Sequence, residues 1–106
     1  PSEAEWTILF NQFINSGFAG SALKYNGYSG FDAVMTGFLV FNQLWKYTSS
    51  DAVLRSTVIW SSTSHGPYKA WAHGMNEVVI NDEYTPSVSR YPSYRNNAFS
   101  VRCIRD

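Results

Sequence analysis

The side chains that most often act as nucleophiles, bases or soft metal ligands are few here: one cysteine, Cys103, and two histidines, His65 and His73, in 106 residues. A Cys–His nucleophile requires Cys103 to lie exposed beside one of these histidines with a lowered thiol pKa. Alternation in Phe99-Ser100-Val101-Arg102-Cys103-Ile104 instead sends Phe99, Val101 and Cys103 to one face of a strand, the expected core face. Cys103 is therefore expected to be a buried, inert thiol. A lone cysteine also excludes an internal disulfide and any CxxC metal site. His65 and His73 with Asp82 or Glu83 have ligand-type donors but no recognisable spacing. Both histidines are expected to be solvated at the surface, and Asn81-Asp82-Glu83 to be an ordinary turn. No catalytic residue, metal ligand or cofactor is assigned.

Residues suited to binding are more plentiful. Tyr84, Tyr91 and Tyr94 lie with Arg90, Arg95, Asn96 and Asn97 in the polar stretch between residues 81 and 97, and His65, Tyr68, Lys69 and His73 form a second polar-aromatic group. Tyrosine gives amphipathic contact area at small entropy cost, and arginine gives forked donors, a mixture found on recognition surfaces. Two readings stay open: these side chains contact a ligand, or the tyrosines pin the loop to the domain.

Composition narrows the partners. Eight Lys+Arg balance eight Asp+Glu, so there is no broad basic field for a nucleic acid. No apolar run approaches the length needed to cross a bilayer. With 44% hydrophobic and 17% aromatic residues the chain is expected to fold as one domain over 1–106. The opening on Pro1 suggests the C-terminal part of a longer protein.

The elements that must position these residues follow from pattern. Ser2-Glu3-Ala4-Glu5 has the form of a capping box, and Trp6, Leu9, Phe10 and Phe13 share the face of a helix expected over 3–16, with Gly17 as its exit. Residues 17–30 read as a loop in which Ala22-Leu23-Lys24 makes a short turn or strand. Phe38-Leu39-Val40-Phe41 reads as a strand buried on both faces, and Ser49-Ser50-Asp51 as a turn. Four short strands are expected at 57–62, 70–73, 77–80 and 98–104, with Gly74-Met75-Asn76 joining the second and third and a long loop over 81–97. Trp6, Trp60 and Trp71 are expected in the core. One capped helix on short antiparallel strands makes an α+β domain.

Several blocks also carry a resemblance. Pro1-Ser2-Glu3-Ala4-Glu5-Trp6 resembles the PSEEEW helix start of the Fibrobacter succinogenes major paralogous domain family, and Gly30-Phe31 its central GF. Trp60-Ser61-Ser62-Thr63 is similar to its WSST block, Ala70-Trp71 to its AW, and residues 99–106 to its closing FSVRCVRD. The order of the blocks agrees over almost the whole chain. Met35-Thr36-Gly37-Phe38-Leu39 departs from the family's Gly-Gly-Tyr-Arg type of central strand.

The resemblance implies a C-type-lectin-like architecture, similar to formylglycine-generating sulfatase-modifying domains, in a secreted or cell-surface bacterial or phage protein. Formylglycine-type oxidation needs a pair of cysteines to bind Cu(I), which Cys103 alone does not provide. The calcium-binding Glu-Pro-Asn, Gln-Pro-Asp and Trp-Asn-Asp motifs of sugar-binding C-type lectins do not occur in the sequence. The expected function is thus a non-enzymatic adhesion or display module. Its partner is a protein or glycan, bound through His65, Tyr68, Lys69, His73, Tyr84, Arg90, Tyr91, Tyr94, Arg95 and Asn96. The alternatives are a structural accessory domain or a formylglycine-generating-type enzyme. Proteins with such folds are frequent targets of diversity-generating retroelements, and the polar-aromatic residues between WSST and FSVRC suit a variable surface.

Overall fold

The computed structural model of the chain describes residues 1–14, 19–24, 27–34, 36–41, 43–45, 52–80 and 83–104. It begins with helix α1 (Glu3–Ile14). The capping box forms: Ser2 N and Oγ donate to Glu5 Oε2 at 2.7 and 2.8 Å, Glu5 N donates to Ser2 Oγ at 3.4 Å, and Trp6 N opens the helical ladder on Ser2 O. The expected exit at Gly17 lies outside the described residues. Within 17–30 the chain forms a second short helix, α2 (Ala19–Leu23), in place of the expected loop. Ala22 and Leu23 are fully buried there, so tertiary packing overrides the local glycine and serine content.

The main sheet is a three-stranded antiparallel meander, β3 (Ala52–His65), β4 (Lys69–Ile80) and β5 (Glu83–Tyr94), preceded by a small hairpin of β1 (Phe38–Val40) and β2 (Gln43–Trp45). The architecture is α+β. Two boundaries differ from expectation. The stretches 70–73 and 77–80 fuse into one strand, because Gly74, Met75 and Asn76 continue the ladder opposite Val58, Thr57 and Ser56. Gly74 answers to close approach, since an added Cβ would stand 2.6 Å from Ser89 Oγ and 3.5 Å from the Tyr91 ring.

The expected long loop over 81–97 is mostly β5. Its prolines, Pro86 and Pro92, sit on an edge strand, where a missing amide donor costs the ladder little. The expected last strand at 98–104 makes only isolated bridges, Ala98 with Leu39 and Ser100 with Ile59. Ser100 N donates to Val58 O and Trp60 N to Ser100 O, after which the chain leaves the edge of β3. Alternation orients side chains only while a ladder persists, so Val101 and Cys103 are exposed and the expected burial of Cys103 is corrected. Phe99 stays half-buried against Trp60 and Phe38.

Helix α1 crosses one face of the sheet. Trp6, Leu23, Ala33, Ile59 and Met75 form the buried cluster, with Leu9, Phe10, Phe13, Phe31 and Val88 packed around it. Trp6 is core as expected, whereas Trp60 and Trp71 are only half-buried. Among the described residues no helix is long and apolar enough to cross a membrane.

The strand expected to be buried on both faces is short and half-buried, and Phe41 is 71% exposed at the turn into β2 with φ +50°. A left-handed conformation costs a non-glycine residue about 1–2 kcal/mol. Phe41→Gly is therefore expected to raise stability by about 0.5–1 kcal/mol after the entropy that glycine returns to the unfolded chain. Urea unfolding at neutral pH checks this. The expected turn at Ser49-Ser50-Asp51 lies outside the described residues.

Candidate functional site

The site is built from the start of α1 and the middle of the sheet. Between Trp60 and Ser64 strand β3 shifts register against β4, so that three residues of β3 oppose Trp71. This bulge turns backbone and hydroxyl groups toward the helix start. Ser62 N donates to Pro1 O at 2.8 Å, and Glu3 N donates to Thr63 Oγ1 at 2.9 Å. The first turn of α1 is thereby fixed on β3, and the Glu3 carboxylate is delivered over the sheet.

There Glu3 Oε1 lies 2.8 Å from His73 Nε2, and Arg90 Nε donates to Glu3 Oε2 at 2.5 Å. Burial pushes the Glu3 pKa up, but hydrogen bonds from Arg90, His73 and Ser61 outweigh it and hold the carboxyl below its ordinary value. His73 is 1% exposed, between Trp6 (ring centroids 4.6 Å apart) and Phe10 (5.1 Å). Burial lowers its pKa more than Glu3 raises it. The contact at neutral pH is thus a hydrogen bond from the neutral Nε2–H tautomer to a carboxylate. Nδ1 has no hydrogen-bond partner among the described residues, so a second ring proton would be buried without an acceptor.

Arg90 extends from this buried pair to the surface. Its guanidinium carbon stands 3.6 Å from the centroid of the Trp71 ring, and the His65 ring meets Trp71 edge-on at 4.6 Å. Register places His73 opposite Arg90, Trp71 opposite Pro92 and Lys69 opposite Tyr94, so these residues share one face of β4 and β5. Lys69 Nζ lies 4.5 Å over the Tyr94 ring. Arg95 closes the end of the ridge: its amide donates to Tyr68 O, its Nε to Lys69 O at 3.3 Å and its Nη2 to Ser64 Oγ at 2.7 Å. Tyr68, on the turn between β3 and β4, is 75% exposed, and Tyr94 is 46% exposed.

The structure therefore brings together His65, Lys69, Arg90, Tyr94 and Arg95, with Tyr68 at the tip and Asn96 exposed beside them. It separates two others. His73 is buried beneath α1 and supports Arg90 through Glu3, so its expected solvation at the surface is corrected. Tyr91 pairs with Ala72 on the opposite face, half-buried over Gly74, where burial pushes its phenol pKa up. The side chain of Tyr84 lies outside the described residues, as do Asp82 and the side chain of Glu83. Asn97 is buried, donating to Ser93 Oγ and accepting from Phe41 N, which shapes the chain after β5.

Glu3 and Trp71 are the members that sequence reasoning missed. Glu3 was absorbed by the capping pattern. Trp71 falls two residues from Lys69 and two from His73, a period-2 signal that becomes legible only once 69–80 is read as one strand.

Chemically the ridge offers flat aromatic surface and fixed cationic donors. Among the described residues no group of three or more His, Cys, Asp or Glu side chains could hold a metal ion. No family model, no curated protein and no solved structure matches the chain.

Proposed function

We propose that the protein is a non-enzymatic recognition module that binds a protein or glycan through the ridge formed by Tyr68, Lys69, Trp71, Arg90, Tyr94 and Arg95. The observation that carries this reading is the combination of exposure with constraint: Tyr68 and Tyr94 are open to solvent while the cations beside them are held by hydrogen bonds and ring contacts. Preorganised aromatic and arginine side chains lose little entropy on binding. The sequence blocks described above support a C-type-lectin-like frame and a secreted or cell-surface location in a bacterial or phage protein. They also suit diversification of the ridge by a retroelement.

Against an enzymatic role stands His73, whose ring is buried with Nε2 engaged by Glu3 and so is not placed to take a proton from a bound substrate. The test is a panel of immobilised glycans and peptides probed with the wild type and with Tyr68→Ala/Tyr94→Ala. The double variant is expected to keep its melting temperature and to lose retention by about tenfold or more. Retention of nothing on the panel would favour a structural accessory domain, and equal retention of both proteins would put the binding surface elsewhere than Tyr68 and Tyr94.

A further inference from the structure

Charge is unevenly placed in this neutral chain. No Asp or Glu occurs from 52 to 76 or from 84 to 105, although these segments carry Arg55, Lys69, Arg90, Arg95, Arg102 and Arg105. Register converts that pattern into geometry. Lys69, Arg90 and Arg95 lie at the end of the sheet bearing the β3–β4 turn, while Glu77 and Glu83 occupy positions toward the opposite end of β4 and β5. On the ridge itself the one described carboxylate is that of Glu3, which is already engaged by Arg90 and His73.

Arg90 is the residue best set up to hold an anion. Its Nε is engaged by Glu3 and its plane is held at Trp71, while the side chain remains 52% exposed. Its two terminal nitrogens carry no hydrogen bond among the described residues, so they present the end-on fork that fits a carboxylate. Tyr94 lies four residues further along the same strand face, about 13 Å away at the rise of an extended chain.

We propose that the ridge takes an acidic saccharide, a chain of sugar rings bearing carboxylates. An apolar C–H face of one ring stacks on Tyr94 or Tyr68, and a carboxylate on another is clasped by Arg90, with Lys69 and Arg95 adding field. This rests on the recognition reading above and names its ligand chemistry. Size favours a saccharide over a folded protein, because a standard protein interface takes about 20–30 residues a side. The ridge has fewer than half of these. Its linear form suits an extended chain, and its cations are held over aromatic rings, Arg90 at Trp71 and Lys69 at Tyr94, so that ring surface and charge are offered side by side.

The test is calorimetric titration of the full chain with oligogalacturonate and with the same oligomer methyl-esterified, which keeps the rings and removes the charge. The acid is expected to bind with an affinity that falls as salt rises, and the ester about tenfold more weakly or worse. Arg90→Ala should weaken binding of the acid about tenfold, and Arg90→Lys, which keeps the charge and loses the fork, by an intermediate factor. Tyr94→Ala should weaken acid and ester alike. Equal binding of acid and ester, or no effect of either Arg90 variant while both stay folded, overturns the proposal. So does preference for a poly-glutamate peptide, which would make the ligand a protein. If the acid does not bind but the immobilised panel still retains the wild type over Tyr68→Ala/Tyr94→Ala, the saccharide assignment falls and the recognition reading stands.

Discussion

Trp6→Ala is expected to cost about 3–5 kcal/mol, the range for removing a large buried aromatic, and so to bring a domain of ordinary stability close to unfolding. Trp6 is buried at the centre of the core cluster, stacked on Phe10 at 5.5 Å and on His73 at 4.6 Å. Its loss opens a cavity beneath α1 at the point where the helix holds Glu3 over the sheet. Trp6→Phe is a sharper control. Trp6 Nε1 has no hydrogen-bond partner among the described residues, so replacing the indole removes an unsatisfied donor along with some volume. The phenylalanine variant should recover most of the lost stability. Urea unfolding of both variants measures the difference, and equal destabilisation would show that the indole nitrogen contributes to the fold.

Glu3→Ala is expected to cost about 2–3 kcal/mol at neutral pH, since it leaves His73 Nε2–H buried without an acceptor and removes the carboxylate that orients Arg90. The pH dependence carries a sign. Burial lowers the His73 pKa in the folded state below its ordinary 6.5, so the unfolded chain binds the proton first as pH falls. Stability contributed by neutral His73 is complete above about pH 6.5 and declines below it. The Glu3 carboxyl, also held below its ordinary value, adds a second loss below about pH 4.5. The melting temperature should thus fall from pH 7 to pH 5. His73→Gln, which keeps a donor toward Glu3 and does not titrate, should flatten that interval. In Glu3→Ala the acid limb below pH 4.5 should shrink. A wild-type melting temperature that rises on acidification to pH 5 would mean that His73 is stabilised as the cation.

How far the sequence reveals this protein depends on whether a pattern is local. The capping box and the Trp6–Phe13 stripe depend on neighbours within two helical turns, and both form as expected. Strand limits were harder. Gly74 looks like a turn residue by type, yet its role is to let Ser89 and Tyr91 approach β4, a demand made by residues 15 and 17 positions away. Pro86 and Pro92 argue for a loop until the strand carrying them is known to be an edge. Alternation in 99–104 is clear in the sequence, but the ladder that would give it meaning ends after Ser100.

The site divides in the same way. Tyr68, Lys69, Arg90, Tyr94 and Arg95 were legible as types suited to binding, because tyrosine gives amphipathic contact area and arginine forked donors. Their grouping was not, since it depends on the registers Lys69–Tyr94 and His73–Arg90. The same registers bury His73 and turn Tyr91 to the other face, two assignments that residue type alone points the wrong way. Glu3 joins the site only because the bulge at Trp60–Ser64 docks the helix start on β3.

Recognition at this ridge is read out by a map of backbone amide shifts during titration with the most strongly retained compound of the glycan and peptide panel. Shifts should concentrate at 65–71 and 90–96 and leave 27–34 and 98–104 nearly unmoved, with the Trp71 indole signal among the most affected. A map centred on 27–34 and 98–104, or spread evenly over the chain, would overturn recognition at the ridge.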